Sequence, residues 1–202
     1  VHLGTSSWTF PGWAGLVYAS HASAQVLARD GLAAYARHPL LRSVSLDRAF
    51  YRPLDAAEYA ACARQVPEDF RFVVKAPARI CDAVLRELGG RGSPPNPMFL
   101  DAQAALDDVV RPAMAGLGKK LGALVFQISP LPPQWLGRRD ALLERLGTPL
   151  GALPPGLCPA VEVRDAAWLC TDFAALLRTH GATYCLGLHP RLPPIDDQLP
   201  ML

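Results

Sequence analysis

Residues 70–76 read Phe70-Arg71-Phe72-Val73-Val74-Lys75-Ala76, and their alternation decides how the rest of the chain is read. Side chains on a strand point to opposite faces in turn. Phe70, Phe72 and Val74 therefore share one face, and Arg71, Val73 and Lys75 share the other. The first face is bulky and apolar, as expected where a helix packs. The second ends in a lysine, and a buried ammonium costs several kcal/mol unless it is paired or reaches solvent. Lys75 therefore belongs at the mouth of a sheet, at the carboxyl end of its strand.

The same arrangement recurs along the chain. In Ser43–Asp47, "SVSLD", Ser43, Ser45 and Asp47 oppose Val44 and Leu46. In residues 121–129, "LGALVFQIS", Ala123, Val125 and Gln127 oppose Leu124, Phe126 and Ile128. In residues 159–165, "PAVEVRD", Glu162 and Arg164 oppose Val161 and Val163. In residues 183–189, "TYCLGLH", Cys185, Gly187 and His189 oppose Tyr184, Leu186 and Leu188. A short apolar segment, "VHLGTSS", opens the chain.

Helical spacing fills the intervals between these segments. "ASAQVLARDGLAAYARH" (22–38) spaces Val26, Leu27, Leu32 and Tyr35 as a helix does. "DAAEYAACARQV" (55–66) opens with Asp55 as N-cap and Glu58 three residues later. A short helical piece is expected in "RICDAVLREL" (79–88), then a Gly- and Pro-punctuated run in "GGRGSPPNP" (89–97). Pro112 is expected to kink or interrupt the helix in residues 100–117. Further helices are expected in "GRRDALLERLG" (137–147) and "TDFAALLRTHG" (171–181), the latter ending at Gly181.

Strand followed by helix, repeated along the chain, argues for an α/β fold with a parallel sheet. In a closed barrel Asp47, Lys75, Gln127, Glu162, Arg164 and His189 would converge at one end, whereas an open sheet would spread them along an edge. Convergence favours the barrel, whose ligands sit at the carboxyl ends of the strands.

Composition bounds the rest. The 202 residues fit one domain, or two small ones, and half of them are apolar. Twenty basic and eighteen acidic residues are interspersed, with a net charge of +2, which gives no electrostatic reason to expect a nucleic-acid or membrane-surface partner. No segment resembles a signal peptide and no apolar run reaches the ~20 residues needed to span a bilayer, so a soluble, cytoplasmic protein is expected. Five cysteines form no CxxC pair, and reduced, buried thiols are expected.

Lys75 and Arg164 offer two fixed cations and Glu162 a carboxylate, a set suited to holding an anionic substrate and moving a proton. The bland alternative for Glu162 and Arg164 is a structural ion pair, and for Lys75 a stem covering the apolar rim. Gln127 can satisfy a ligand or loop backbone. His189 is a general-base candidate at a strand end. Trp8, Phe10, Trp13, Tyr18, Phe50 and Tyr51 either plug the rim or stack on a ligand, and Trp8 and Tyr51 are taken as the ligand contacts. Asp47, Glu162 and His189 are of the right type to hold a divalent cation, but no spacing demands it, and no motif identifies a cofactor. His2, His21, His38 and His180 read as structural or exposed.

The strings "GTSSWTFPGW" (4–13), "AFYRPL" (49–54), "FRFVVKAP" (70–77), "VFQISPLPP" (125–133) and "AVEVRDAAW" (160–168) resemble, in order, the motifs of the YecE-like proteins, the bacterial domain of unknown function 72. The matching positions are Thr5, Ser6, Trp8, Trp13, Phe50, Tyr51, Arg52, Lys75, Gln127, Glu162, Arg164 and Trp168. The chain departs from the family pattern at Ser45 and Asp47, where Glu and Asn are usual. It departs again at Asp165, where His is usual, and at His189, where an acidic residue is expected. The resemblance implies a TIM-like (β/α)₈ barrel, with about six strand-helix units present in this chain. A complete barrel takes ~250 residues, so residues 1–202 are expected to form a single barrel domain lacking its C-terminal strands. The family name carries no reaction. The reading that results is a small-molecule site for an anionic metabolite at the barrel mouth, with acid/base chemistry. Its alternatives are a non-catalytic binding or scaffold module and a metal-assisted nucleic-acid-processing barrel.

Overall fold

The computed structural model describes residues 1–85 and 94–202. Its strands are β1 (Leu3–Thr5), β2 (Leu41–Ser45), β3 (Arg71–Lys75), β4 (Leu121–Gln127), β5 (Pro159–Glu162) and β6 (Thr183–Tyr184). Its helices begin with α1 (Ala24–Asp30), α2 (Leu32–Ala36), α3 (Arg48–Tyr51), α4 (Ala56–Ala63), α5 (Ala78–Cys81) and α6 (Ala102–Ala105). They continue with α7 (Arg111–Leu117), α8 (Pro133–Leu136), α9 (Arg139–Ala152), α10 (Thr171–Thr179) and α11 (Ile195–Gln198).

The strands form one sheet in the order β1-β2-β3-β4-β5-β6, with β1–β2, β2–β3, β4–β5 and β5–β6 parallel. Chain order equals sheet order, so the sheet is singly wound and contains no reversal of the kind that marks a doubly wound fold. Among the described residues no helix is long and apolar enough to cross a membrane. The chain divides into two compact units, Val1–Lys75 with Arg111–Ala123, and Ala76–Val110 with Leu124–Leu202.

In the first unit β3 alternates as its sequence requires. Phe70, Phe72 and Val74 are fully buried, whereas Arg71, Val73 and Lys75 are half-buried. Phe70 meets Phe72 and Tyr35 edge-on, with centroids 5.3 and 6.3 Å apart. Gly4 lets β1 approach β2, since a Cβ there would run into the Ser43 carbonyl, and the register shifts between Leu3 and Gly4. Helix α4 starts on a complete capping box between Asp55 and Glu58 and packs against α7. That crossing is close because Gly116 of α7 has no Cβ to strike the Ala56 carbonyl and the Tyr59 side chain.

The helix expected over residues 22–38 is two helices, α1 and α2, joined at Gly31. The run through residues 102–117 is helical but widens into a π turn at Leu106–Val110, just before Pro112. Pro112 has no N–H and its ring crowds the carbonyl four residues back, and a wider turn accommodates both.

In the second unit β4 and β5 run in register from Leu124↔Pro159 to Gln127↔Glu162. Helix α9 extends to Ala152, past Gly147 and through Pro149, five residues beyond the expected end. Burial of Leu146, Pro149 and Leu150 offsets the hydrogen bond lost at the proline. Trp168, Phe173 and Tyr184 form an edge-to-face series, with centroids 5.7 and 6.1 Å apart.

The sixth strand is shorter than its sequence suggests. It covers Thr183–Tyr184, and Leu188 is 90% exposed. The cause is Gln198, fully buried, whose amide accepts from the Gly187 N–H and donates to the Gly187 and Pro193 carbonyls. A side chain has taken the backbone groups that a sheet partner would have used. The helical piece expected over residues 79–88 is α5 alone within the described residues, and most of the Gly/Pro run lies outside them. No disulfide joins any of the five cysteines, all of which are among the described residues; Cys62 and Cys81 are buried as expected, but Cys158 is exposed and Cys170 and Cys185 are half-buried.

Candidate functional site

The carboxyl ends of β1, β2 and β3 gather polar groups within the first unit. The Tyr35 hydroxyl accepts from the Thr5 N–H at 3.1 Å and donates to the Ser43 carbonyl at 2.9 Å, so one side chain ties the end of β1 to the middle of β2. Burial raises its pKa above the usual range, which keeps it a neutral donor.

Asp47 sits beyond β2 rather than on it: the strand ends at Ser45, and Asp47 takes helical backbone angles at the start of α3. The turn nevertheless brings the expected residues together. Asp47 Oδ1 accepts from Ser45 Oγ at 2.5 Å and stands 3.5 Å from Lys75 Nζ. The side chains of Lys75 and Asp47 are 20% and 33% exposed, so the pair is partly desolvated and still reaches solvent. Asp47 Oδ2 has no hydrogen-bond partner among the described residues.

Asp47 and Ser45 line a cavity of about 250 Å³ with Ser6, Ser7, Trp8, Thr9 and Arg48. Arg48 adds a second cation to this corner. Its guanidinium carbon lies 5.9 Å from the Trp8 ring centroid, and Nη2 donates to Cys62 Sγ at 3.2 Å. Sequence reasoning missed Arg48; a charged residue one position after the strand-end Asp47, at the start of an otherwise apolar-aromatic turn, was the available signal.

The aromatic residues around these loops differ in burial. Trp8 is 6% exposed, its indole N–H donates to the Leu27 carbonyl at 2.9 Å, and its own carbonyl accepts from the Tyr18 hydroxyl. Its ring is a wall built into the loop, because a buried indole N–H needs a partner and Leu27 supplies one. Burial pushes the Tyr18 hydroxyl up to about 12, so it stays a donor to Trp8. Tyr51 is 84% exposed and meets Phe50 edge-on at 5.6 Å. Phe10 and Trp13, read from sequence as packing, also line an open hollow of about 720 Å³ that shares Ser6, Ser7 and Thr9 with the Asp47 cavity.

In the second unit Glu162 ends β5 opposite Gln127, and Arg164 follows the strand. The Arg164 guanidinium is closed on the Glu162 carboxylate, with both side chains half-buried. Asp165 is buried; Oδ2 accepts the Leu131 N–H at 2.8 Å and Oδ1 meets Arg191 Nη2 at 3.0 Å. This residue anchors two loops of its unit to the end of β5. His189 does not end a strand, since β6 stops at Tyr184; it lies in a turn, and its Nδ1 accepts the Arg191 N–H at 3.2 Å. Among the described residues no group of three or more His, Cys, Asp or Glu is placed to hold a metal ion.

The family model for "Protein of unknown function DUF72" matches residues 2–199, and the chain belongs to that family. Solved structures agree on the fold. A DUF72 family protein from Thermotoga maritima is 21% identical, with a TM-score of 0.61 over 95% of this chain and 67% of that one. A DUF72 family protein from Enterococcus faecalis is 20% identical, with a TM-score of 0.58 over 92% of this chain and 60% of that one. The chain thus spans about three fifths of the length of the Enterococcus protein. The comparison with curated proteins gave no match.

Proposed function

We propose that this DUF72 protein binds a small anionic metabolite in the cavity at the carboxyl ends of β1 and β2. One observation carries the reading: the Asp47 carboxylate is shared between Ser45 and Lys75 at the wall of a hydroxyl-lined cavity that also takes in Arg48. Lys75 and Arg48 both bring positive charge to this corner. Positive charge there attracts an anion, and the partial desolvation of Lys75 strengthens that attraction. Asp47, held by a hydroxyl and an ammonium with one oxygen unpartnered, is the group to move a proton on the bound ligand. In the second unit Glu162 and Arg164 form a further strand-end pair; in the same proposal Glu162 is a proton carrier and Arg164 and Gln127 contact ligand.

A second reading, a module that binds without turnover, is favoured by the closure of Glu162 onto Arg164. Each group is then engaged with the other rather than presented to a ligand. Thermal-shift screening with phosphorylated and carboxylated metabolites, followed by turnover assays on the hits, separates the two. Anion-specific stabilisation that Lys75→Met and Asp47→Asn both reduce supports the site. Stabilisation by no anion in the panel, or stabilisation untouched by both variants, sinks it. Turnover abolished by Asp47→Asn supports chemistry at this cavity. Loss of turnover in Glu162→Gln alone moves the chemistry to the second unit.

A further inference from the structure

The hollow beside the Asp47 cavity has its own chemistry. Phe10 and Trp13 stand edge to face, centroids 5.5 Å apart and planes at 75°, and Phe10 is 57% exposed. The turn Pro11–Trp13 sets this geometry: the Phe10 ring lies back over Gly12, where a Cβ would meet it at 2.5 Å. Between hollow and cavity runs a ridge of short hydroxyl side chains, Ser6, Ser7 and Thr9, which line both. Ser7 Oγ and Thr9 Oγ1 are 2.8 Å apart and fix each other, while the exposed Ser6 hydroxyl has no partner among the described residues.

We infer that the ligand is a phosphorylated sugar. Its phosphate lies in the Asp47 cavity near Lys75 and Arg48, and its ring lies across the hydroxyl ridge against Phe10 and Trp13. Three features select this class. Hydroxyl side chains both donate and accept, so they satisfy the hydroxyls of a sugar in either direction. An aromatic face gives the C–H side of a pyranose or furanose ring an apolar surface to rest on. Rings at 75° make a two-walled corner, which suits a puckered ring; a nucleobase needs a parallel face on which to stack. Trp8, buried and hydrogen-bonded to Leu27, is not the stacking surface; that role belongs to the loop two to five residues further on.

This inference rests on the anionic-ligand reading above, and one calorimetric series separates the two. Inorganic phosphate, a panel of pentose and hexose phosphates, and the corresponding neutral sugars are titrated into the wild-type protein, Phe10→Ala and Gly12→Ala. At least one sugar phosphate should bind about tenfold or more tighter than inorganic phosphate. Phe10→Ala, which alters an exposed ring, should remove that excess and leave phosphate affinity unchanged. Gly12→Ala, which displaces the same ring, should lower the excess as well. Phosphate binding with no tighter sugar phosphate overturns the inference and leaves the anion reading standing. An excess that survives both variants overturns it too, since the ring then rests elsewhere. Binding of neither phosphate nor any sugar phosphate overturns both.

Discussion

Asp47 and Lys75, from different strand ends of the first unit, meet at 3.5 Å through a single carboxylate oxygen that also accepts from Ser45. Neither charge is fully buried, and each limits the desolvation cost of the other. The pair thus holds a lysine at a strand mouth with part of its side chain still in contact with solvent. Ser45 and Asp47 are therefore residues that shape this corner.

The Asp165 anchor predicts a graded loss. Asp165→Ala leaves the Leu131 N–H without its acceptor and releases Arg191, and should cost about 1–3 kcal/mol of stability. Asp165→Asn keeps a side-chain oxygen for Leu131 and loses only the charge on Arg191, so it should cost less. Denaturant melts of the two variants check the order, and an equal cost would show that the Leu131 hydrogen bond contributes nothing.

Gly116 predicts a steric limit. Gly116→Ala places a methyl group against the Ala56 carbonyl and Tyr59, and should destabilise by about 1–3 kcal/mol despite alanine's better helix propensity. An alanine variant as stable as wild type in urea would mean that α4 and α7 move apart freely.

Glu58 predicts part of the acid limb. Arg52, through hydrogen bonds of 3.0 and 2.5 Å, holds the Glu58 carboxyl down at about 2, from its usual 4.5. The folded pKa is depressed, so this contribution is fully present above pH 4.5 and is lost as pH falls toward about 2. Glu58→Gln should flatten the stability profile in that window and leave its shape above it unchanged. Stability followed by circular dichroism from pH 7 to 2 checks this; an unchanged acid limb contradicts it.

The strands were legible where period-2 alternation is a local property. Residues 70–75 bury and expose their side chains as the alternation requires, and Lys75 lies at the strand end. Local reading stops where a distant residue decides the outcome. Nothing near Trp8 in sequence shows that the Leu27 carbonyl satisfies its indole. The sixth strand looked seven residues long because Gln198, eleven residues beyond Gly187, is what withdraws that backbone from the sheet. The alternation alone puts Asp47 on a strand face, yet it reaches Ser45 and Lys75 from the turn that follows. His189 lost its strand-end position with the shortening of β6.

The most direct test of the anion site is calorimetric titration of inorganic phosphate into wild-type protein and Lys75→Met, with circular dichroism confirming that the variant is folded. The Asp47–Lys75 arrangement predicts saturable binding to wild type, weakened about tenfold or more by the loss of one partly desolvated cation, equivalent to about 1.4 kcal/mol. Equal affinity in the two proteins, or no binding to the wild type, would contradict it.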